Sequence, residues 1–282
     1  MDANVRDARE DDKAPLMSFI RHVWGGHDYI PRVWDEWFRD REGRMFVVEA
    51  GGTPVGMNRV RFLQDGSAWF MGARVHPGYR RLGLATLLGE HSMKVAARRG
   101  VSTFRLTVES RNYASRRQTA TMHFKETARF SVYEPPKGFR STEEEVARPE
   151  RSSAAEMLRL LKRTPEFRLG SGVYWHNYAA TALTPEVVSR LAEEGAIWRL
   201  GGAIAVVKEG RESSDVWEQV CFVGGPVPDS VLLVKSAVGR VRGSRTHWVF
   251  LPQGSRIISA LRKEGFTRRY SQILLERHAA NG

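Results

Sequence analysis

The stretch VHPGYRRLGLATLL, residues 75–88, joins an apolar segment to an amphipathic one through a short basic turn that contains glycine. The segment before the turn has the composition of a strand, and residues 84–99 have the apolar spacing of a helix. Such a turn leaves the first N–H groups of the helix without partners, and the helix dipole adds positive potential there. Gly83 keeps side-chain bulk away from these groups, while Arg80 and Arg81 add charge. The stretch therefore predicts a phosphate-binding site at the start of a helix.

Helical and extended patterns alternate on both sides of this turn. Residues 10–23 have the apolar spacing of an amphipathic helix, and Pro31 suits the first turn of a second one. Residues 45–63 are predicted to form a hairpin, and residues 103–110 and 128–135 are predicted strands with a short helix between them. The first half of the chain therefore predicts a mixed α/β (α+β) domain.

The composition changes between residues 137 and 168, where the chain is charged and weakly patterned. We interpret residues 137–168 as a linker between a first domain at residues 1–136 and a second at residues 169–282. The second half repeats the order of strands and helices found in the first, with little residue identity between them. A duplicated fold is therefore predicted.

Composition restricts the class of protein. The 282 residues carry 44 Lys and Arg against 32 Asp and Glu, and the formal net charge of +12 suits either nucleic acid or small anionic ligands. Because the arginines are scattered and no zinc-finger spacing accompanies them, we do not expect nucleic acid as the main partner. With one cysteine, Cys221, neither an internal disulfide nor a multi-cysteine metal site is expected, and its apolar setting predicts a small buried side chain.

The sequence has no recognisable secretory signal or membrane-spanning run. The first residues, MDANVRDAREDDK, are charged, and no apolar run approaches the roughly 20 residues that cross a bilayer. We therefore expect a cytoplasmic protein with no membrane partner.

The order of elements around HPGYRRLGLA, residues 76–85, resembles the acetyl-CoA-dependent N-acetyltransferases of the GNAT superfamily. The superfamily signature, Gln/Arg-x-x-Gly-x-Gly/Ala, is met by RRLGLA at residues 80–85. LTVESRN at residues 106–112 matches the next strand and the asparagine that begins the last helix of the family. The resemblance spans residues 4–135 and implies the GNAT fold, in which helices flank a mixed central sheet. It also implies acetyl-CoA as co-substrate and no metal.

The resemblance further implies which residues hold acetyl-CoA. Backbone groups at the end of the strand pair with its pantetheine arm, the turn and the start of the helix hold its pyrophosphate, and the last helix lines its far side. These residues are Ala73, Arg74, Val75, Arg80, Arg81, Leu82, Gly83, Leu84, Ala85, Thr86, Asn112 and Ser115.

The second half also resembles a GNAT domain, but it lacks the phosphate turn. WEQVCFV, residues 217–223, leads into GGPVPDSVLL, which has no Arg-x-x-Gly, whereas HWVFLP, a helix and LRKEGF follow the family order. The resemblance therefore implies a degenerate GNAT-like domain at residues 169–282 that has lost cofactor binding. Such a domain either shapes the substrate pocket or stabilises the first domain.

The usual catalytic residues of the family are not matched. Acetyl transfer needs a neutral amine, so a base, or water leading to one, must remove a proton, and the departing thiolate needs a donor. Where the family places Glu in its two strands and Tyr in its last helix, this sequence has Trp69, Thr107 and Thr119. Glu109, at the end of a predicted strand, is our candidate catalytic base.

Other catalytic assignments stay open at this point. One is a mechanism in which the protein only positions the amine and water carries the proton. The remaining candidates are Glu49, His76 and His123 as bases and Tyr113 as a donor to sulfur.

The segment between the first two predicted helices, HVWGGHDYIPRVWDEW at residues 22–37, is the expected acceptor-binding loop. It is similar to a segment of the tandem-domain acetyltransferases that acetylate free amino acids such as histidine. The candidate substrate-binding residues are Trp24, His27, Asp28 and Tyr29.

Charged groups in and near this loop suggest how an acceptor binds. Asp28 is a candidate partner for the substrate ammonium, and Arg59 or Arg61 is a candidate partner for a carboxylate. Trp34 and Trp37, by contrast, suit the packing of a helix on the sheet.

The sequence thus predicts an N-acetyltransferase that moves an acetyl group from acetyl-CoA to a primary amine of a small molecule, with free amino acids among the options. A protein N-terminus or lysine is the alternative acceptor. A non-catalytic CoA-binding module is the alternative class, favoured by the unmatched Glu and Tyr, and nucleic-acid binding rests on charge alone. The sequence leaves a homodimer open.

Overall fold

A computed structural model of the chain describes residues 2–139, 148–149, 152–212, 215–239 and 247–279. Contacts within the chain define two compact units. The first comprises Met1–Lys125 together with Leu275–Gly282, and the second comprises Glu126–Leu274. Each unit has helices packed on mixed β-structure, as the predicted fold class requires.

The first unit alternates helices and strands in the predicted order. Its strands are neighbours in chain order, antiparallel except for the last pair, which is parallel. Its elements are β1 (Ala3–Asp7), α1 (Lys13–Ile20), α2 (Ile30–Arg39), β2 (Gly43–Ala50), β3 (Thr53–Phe62), β4 (Ala68–Val75), α3 (Leu84–Ala97), β5 (Thr103–Glu109) and α4 (Tyr113–Thr121).

The second unit repeats this pattern with additions. Its elements are β6 (Lys125–Glu134), β7 (Arg148–Pro149), α5 (Ala154–Arg163), α6 (Pro165–Leu169), β8 (Val173–His176), β9 (Ala179–Ala182), α7 (Pro185–Glu193), β10 (Ile197–Leu200), β11 (Ala203–Glu212), β12 (Asp215–Gly224), α8 (Val227–Gly239), β13 (His247–Pro252), α9 (Ile257–Lys263) and β14 (Thr267–His278). The strand order is β14-β6-β13-β12-β11-β10-β7, with β12 and β13 parallel, while β8 and β9 form a separate hairpin.

The compact units differ from the predicted domain boundaries at both ends of the chain. Residues 126–136 belong to the second unit rather than to the first. The end of β14 belongs to the first unit, where the Ala279 N–H donates to the Ser102 carbonyl oxygen at 2.7 Å and Arg105 pairs with Glu276. Long-range strand pairing of this kind leaves no mark on local composition.

The predicted linker at residues 137–168 contains α5, which packs in the core of the second unit. Met157 and Leu161, one turn apart on α5, are fully buried against residues of the neighbouring strands. Ser153 begins the helix, since its hydroxyl oxygen accepts the Glu156 N–H at 3.3 Å. The charged residues on the outer face of α5 give this segment its linker-like composition.

The helices α1 and α2 close one face of the first sheet. Trp34 and Trp37 of α2 are buried together with Val47 and Met57 of the strands, which confirms that these tryptophans pack a helix on the sheet. Burial of side chains of this size contributes about 2–3 kcal/mol each. The loop between α1 and α2 is thereby fixed close to β4.

Candidate active site

The parallel strands β4 and β5 separate part of the way along their length. They pair at three positions only, Ala68 with Phe104, Trp69 with Arg105 and Phe70 with Leu106. No pairing joins them beyond Phe70 in the described residues, although β4 continues to Val75 and β5 to Glu109. A cleft therefore opens between the carboxyl ends of two central strands, the usual ligand position in sheets of this kind.

A β-bulge in β4 accompanies the separation. Met71 pairs with Arg59 and Arg74 with Met57, so Gly72 and the next residue face a single residue of β3. A bulge bends its strand and increases the local twist, which turns β4 away from β5.

Glycine is required at the bulge for two reasons. Gly72 has a φ of +67°, and a Cβ built on it would lie 2.7 Å from the ring of Trp37. Trp37 therefore packs directly on the bulge and holds α2 there.

The predicted phosphate turn is exposed and leads directly into α3. Gly83 is the N-cap of α3 with a φ of +76°, and no atom lies within 4 Å of a Cβ built on it. The first bond of the helix joins the Leu87 N–H to the Gly83 carbonyl oxygen at 3.0 Å. The N–H groups of Leu84, Ala85 and Thr86 therefore lie in the first turn, where the helix supplies no acceptor. An anion has open access to this helix end.

The two arginines of the turn are both exposed, and Arg81 adopts a φ of +63°. The lead-in is rigid, because the Nδ1 atom of His76 accepts the Gly78 N–H at 3.1 Å and its ring packs edge-on against Phe19 and Tyr79. This gives His76 a structural role in shaping the turn.

The other wall of the cleft is formed by the end of β5 and the start of α4. Asn112 caps α4, since its side-chain oxygen accepts the Ser115 N–H at 3.1 Å, and both residues are half-buried. The hydroxyl oxygen of Ser110 is buried without a hydrogen-bond partner among the described residues. Sequence reasoning missed Ser110, because a serine between a strand and a helix carries no distinguishing signal.

The structure places the catalytic candidates in different settings. Glu109 is exposed at the end of β5 and remains our predicted base. The hydroxyl of Thr119 donates to carbonyl oxygens of its own helix, so it is not disposed to protonate a thiolate. Glu49 is bound by Arg6 at 2.8 Å, and His123 is exposed with a φ of +59°. Tyr113 is exposed at the start of α4.

Three of the four predicted acceptor-binding residues converge on Arg74 of β4. The Arg74 Nε–H donates to Asp28 at 2.6 Å, and the guanidinium lies 5.9 Å from the ring of Trp24 and 5.7 Å from that of Tyr29. His27, the fourth, is exposed. Asp28, expected to meet the substrate ammonium, instead binds Arg74 and accepts the Ile30 N–H at 3.0 Å.

Arg59, a sequence candidate for carboxylate binding, is buried in the protein interior. Its side chain is buried, pairs with Asp40 and lies 4.8 Å over the ring of Trp37. Burial lowers the pKa of Arg59 to about 10, although the charge of Asp40 acts in the opposite direction. Arg61 is half-buried on the same strand.

The second unit contains a cleft of the same construction. Strands β12 and β13 pair at three positions, Glu218 with His247, Gln219 with Trp248 and Val220 with Val249. Cys221 is the extra residue of a bulge, because Val220 and Phe222 pair with consecutive residues of β11. As predicted, Cys221 is a small buried side chain, and burial raises the pKa of its thiol.

This second cleft is filled by the chain itself. A Cβ on Gly224, at the end of β12, would lie 2.8 Å from Thr164 and 3.0 Å from the carboxylate of Glu166. Glu166 is buried, and its two oxygens accept the Ser255 hydroxyl at 2.8 Å and the Gly225 N–H at 3.4 Å. The side chain thus bridges the end of β12 to the residues that precede α9.

Open parallel strands beside a glycine-capped helix start define an α/β domain with an arrangement that suits a phosphate-bearing ligand. Residues 8–124 match the Acetyltransferase (GNAT) family, so this part of the chain is a GNAT-family domain.

Two curated relatives have the same name. Histidine N-acetyltransferase of Xenopus tropicalis is 30% identical over 104 residues, which is 36% of this chain and 32% of that protein. Histidine N-acetyltransferase of Oreochromis niloticus is 28% identical over 82 residues, 29% of this chain and 24% of that protein. The matched regions thus span about a third or less of these relatives.

Solved structures resemble the chain over nearly its whole length. A GCN5-related N-acetyltransferase from Sphaerobacter thermophilus has a TM-score of 0.64 at 13% identity, covering 98% of this chain and 95% of that one. A tandem GNAT protein from the clavulanic acid biosynthesis pathway has a TM-score of 0.56 at 13% identity, covering all of both chains. The chain therefore has the tandem GNAT fold.

Two further observations bear on metals and membranes. In the part of the chain that the structure describes, no group of three or more His, Cys, Asp or Glu residues is arranged to hold a metal ion. Over the same residues, no helix combines the length and apolar character that a membrane span requires.

Proposed function

We propose that the protein is an N-acetyltransferase that acetylates the primary amine of a small molecule, and that free amino acids are its acceptor class. The observation that carries this is the cleft between β4 and β5, which leads to the exposed, glycine-capped start of α3. The name shared by the two curated relatives supports a small amino-acid acceptor.

Three groups of residues in the first unit support acetyl-CoA as the ligand. Backbone groups at the end of β4, in Ala73, Arg74 and Val75, line the opened strand edge that suits the amides of a pantetheine arm. Residues 80–86 combine two arginines with free helix N–H groups, which suits a pyrophosphate. Asn112 and Ser115 form the opposite wall.

When bound, acetyl-CoA supplies the thioester whose acetyl group is transferred. The acceptor arrives as an ammonium and must lose a proton before its nitrogen can attack. Glu109, exposed at the end of β5, receives that proton directly or through water. The products are the N-acetylated amine and CoA.

We propose that one acetyl-CoA binds per chain, in the first unit. Glu166 and Thr164 occupy the corresponding cleft of the second unit, which supports the predicted loss of cofactor binding there. Cytoplasmic location and the choice between monomer and homodimer stay predictions.

A non-catalytic CoA-binding module is the second candidate. It is favoured by Thr119, which stands where the family places the tyrosine that acts as general acid. The Thr119 hydroxyl donates to carbonyl oxygens of its own helix, so it does not replace that tyrosine as a proton donor.

Two measurements test these proposals together. Calorimetric titration with acetyl-CoA should give a stoichiometry of one. Thiol release from acetyl-CoA should then be measured with a panel of amino acids, biogenic amines and peptides. Release with amino acids supports the proposed function, release with peptides alone contradicts the acceptor class, and binding without release to any amine favours the binding module. Absence of binding would overturn the acetyltransferase assignment.

A further inference from the structure

Arg74 is held by the protein along one edge of its guanidinium. Its Nε–H donates to Asp28 Oδ2 at 2.6 Å and its Nη2–H donates to Asp28 Oδ1 at 3.3 Å, while its Nη1–H donates to the carbonyl oxygen of Ala73 at 2.9 Å. The carboxylate of Asp28 has no exposed area and the side chain of Arg74 is 15% exposed. The buried acid therefore fixes the plane and the direction of the arginine.

Two N–H groups of this guanidinium remain available for a ligand. A guanidinium has five N–H groups in a rigid fork, of which three are used here. The other two, one on each terminal nitrogen, take no partner among the described residues. N–H groups on both terminal nitrogens of an arginine can bind the two oxygens of one carboxylate.

Two aromatic side chains border Arg74, and core packing accounts for Tyr29, which contacts Trp37, but not for the exposed Trp24. Trp24 is 57% exposed although it lies against the guanidinium, and it adopts a φ of +58°, which an L-residue rarely does. Tyr29 borders Arg74 from a second position in the same loop. Strained backbone around an exposed tryptophan is typical of ligand-binding loops rather than of a core.

Arg74 also lies where an acceptor must be held. It directly follows the β4 bulge and is adjacent to Ala73, in the strand segment that borders the cleft. The other arginine candidates lie elsewhere: Arg59 is buried with Asp40, Arg61 is on β3, which does not border the cleft, and the two arginines of the phosphate turn lie at the helix end.

We infer that Arg74 binds the α-carboxylate of the acceptor and thereby selects free α-amino acids over amines that lack this group. Asp28 is then a positioning residue that orients Arg74, and Trp24 forms a wall for the acceptor side chain. This inference rests on the proposed function, because it assigns a role within the acceptor site of an amine acetyltransferase.

Pairs of acceptors that differ only in the carboxylate test this inference. The kcat/KM for amino acids and for the matching decarboxylated amines, such as L-histidine and histamine, is measured with the full chain and with Arg74→Gln. Because Arg74→Gln leaves Asp28 as an unpaired buried acid, the double variant Asp28→Asn/Arg74→Gln and the single variant Arg74→Lys are measured alongside. Acetyl-CoA affinity of every variant is determined by calorimetry.

We expect the wild-type protein to prefer the amino acid of each pair. Arg74→Gln and the double variant should lower kcat/KM for amino acids about 10- to 100-fold, mainly through KM, because a charged hydrogen-bonded pair is lost. The loss should be smaller for the matching amines than for the amino acids, because an amine presents no carboxylate to the side chain of Arg74. Arg74→Lys should recover part of the preference.

Other results overturn the inference. Equal losses for both members of each pair would show that Arg74 only stabilises the loop, and the proposed function would stand. A wild-type protein that acetylates amines without preferring the carboxylate would also refute it. If no member of any pair is acetylated while acetyl-CoA binds, the proposed function itself fails, and this assignment fails with it.

Discussion

Each unit has two parallel strands that separate part of the way along their length, β4 and β5 in the first and β12 and β13 in the second. The groups that lie in the two resulting clefts are different. In both, three paired positions are followed by a bulge and by separation of the strands. In the first unit the opening leads to an exposed basic turn, with nothing within 4 Å of a Cβ on Gly83. In the second, Glu166 bridges the two walls of the opening.

The comparison separates the architecture of a cofactor cleft from its use. Divergence of the strands follows from register and bulge, and both units retain it. Cofactor binding also requires access to the start of the helix that follows the first of the two strands. Residues outside the strands determine this access, namely the turn at Gly83 in the first unit and Glu166 in the second. A buried carboxylate in that place also opposes a phosphate electrostatically, so the second cleft is closed by volume and by charge.

The largest expected effect tests access to the helix end of the first unit. Gly83→Glu should weaken acetyl-CoA binding on the order of 100-fold or more, because a carboxylate would face the pyrophosphate at short range. Calorimetric titration measures this directly.

The matched control lies at the other end of the same helix. Gly100 has a φ of +81° with no atom within 4 Å of a Cβ, so Gly100→Glu carries similar backbone strain and the same charge. We expect this variant to bind acetyl-CoA nearly as the wild type does. Equal binding by both variants would show that the start of α3 does not hold the pyrophosphate.

The next effect concerns the filled cleft of the second unit. Glu166→Ala should lower the free energy of unfolding by about 2–4 kcal/mol, since the Ser255 hydroxyl and the Gly225 N–H lose their acceptor. Urea denaturation measures the change. The exposed Glu156→Ala, on α5, is the control and should cost less than about 0.5 kcal/mol.

The same Glu166→Ala variant also addresses stoichiometry. We expect it to bind one acetyl-CoA per chain, because the side chain of Thr164 still lies against Gly224 and the turn GGPVPD, residues 224–229, contains no arginine. A second equivalent in the titration would mean that Glu166 alone closes this cleft.

The smallest expected effect concerns the bulge of the first unit. Gly72→Ala should lower the free energy of unfolding by about 2–3 kcal/mol, which combines a positive-φ cost with a clash against Trp37. Gly66→Ala, with a φ of +76° and open space around its Cβ, should show the positive-φ cost of about 1 kcal/mol alone. If the two variants lose equal stability, Trp37 does not depend on close contact with the bulge.

The sequence predicted those features of the first unit that local patterns carry. The glycine-led turn, the helix after it and the alternation of elements depend on short-range signals, and the structure has them. The burial of Arg59 does not, because it depends on which face of the sheet each strand residue occupies and on which acid lies there. Asp28 is a similar case, since a carboxylate in a loop gives no sign of the arginine that will bind it.

Long-range features of the second unit were equally out of reach. The filling of its cleft depends on a helix of five residues, too short for a periodic pattern, and on a buried glutamate whose partners are far along the chain. The assignment of the end of β14 to the first unit depends on pairing between distant residues.

That last pairing sets an order of events during synthesis. Arg105 and Glu276 are 171 residues apart in sequence, and at about 5–20 residues per second they emerge roughly ten to thirty seconds apart. The outer edge of β5 therefore stays unpaired until β14 has been synthesised, after the rest of the second unit. A ribosome-bound first unit is an unfinished sheet with an open edge, and it needs protection from intermolecular pairing until the chain is almost complete.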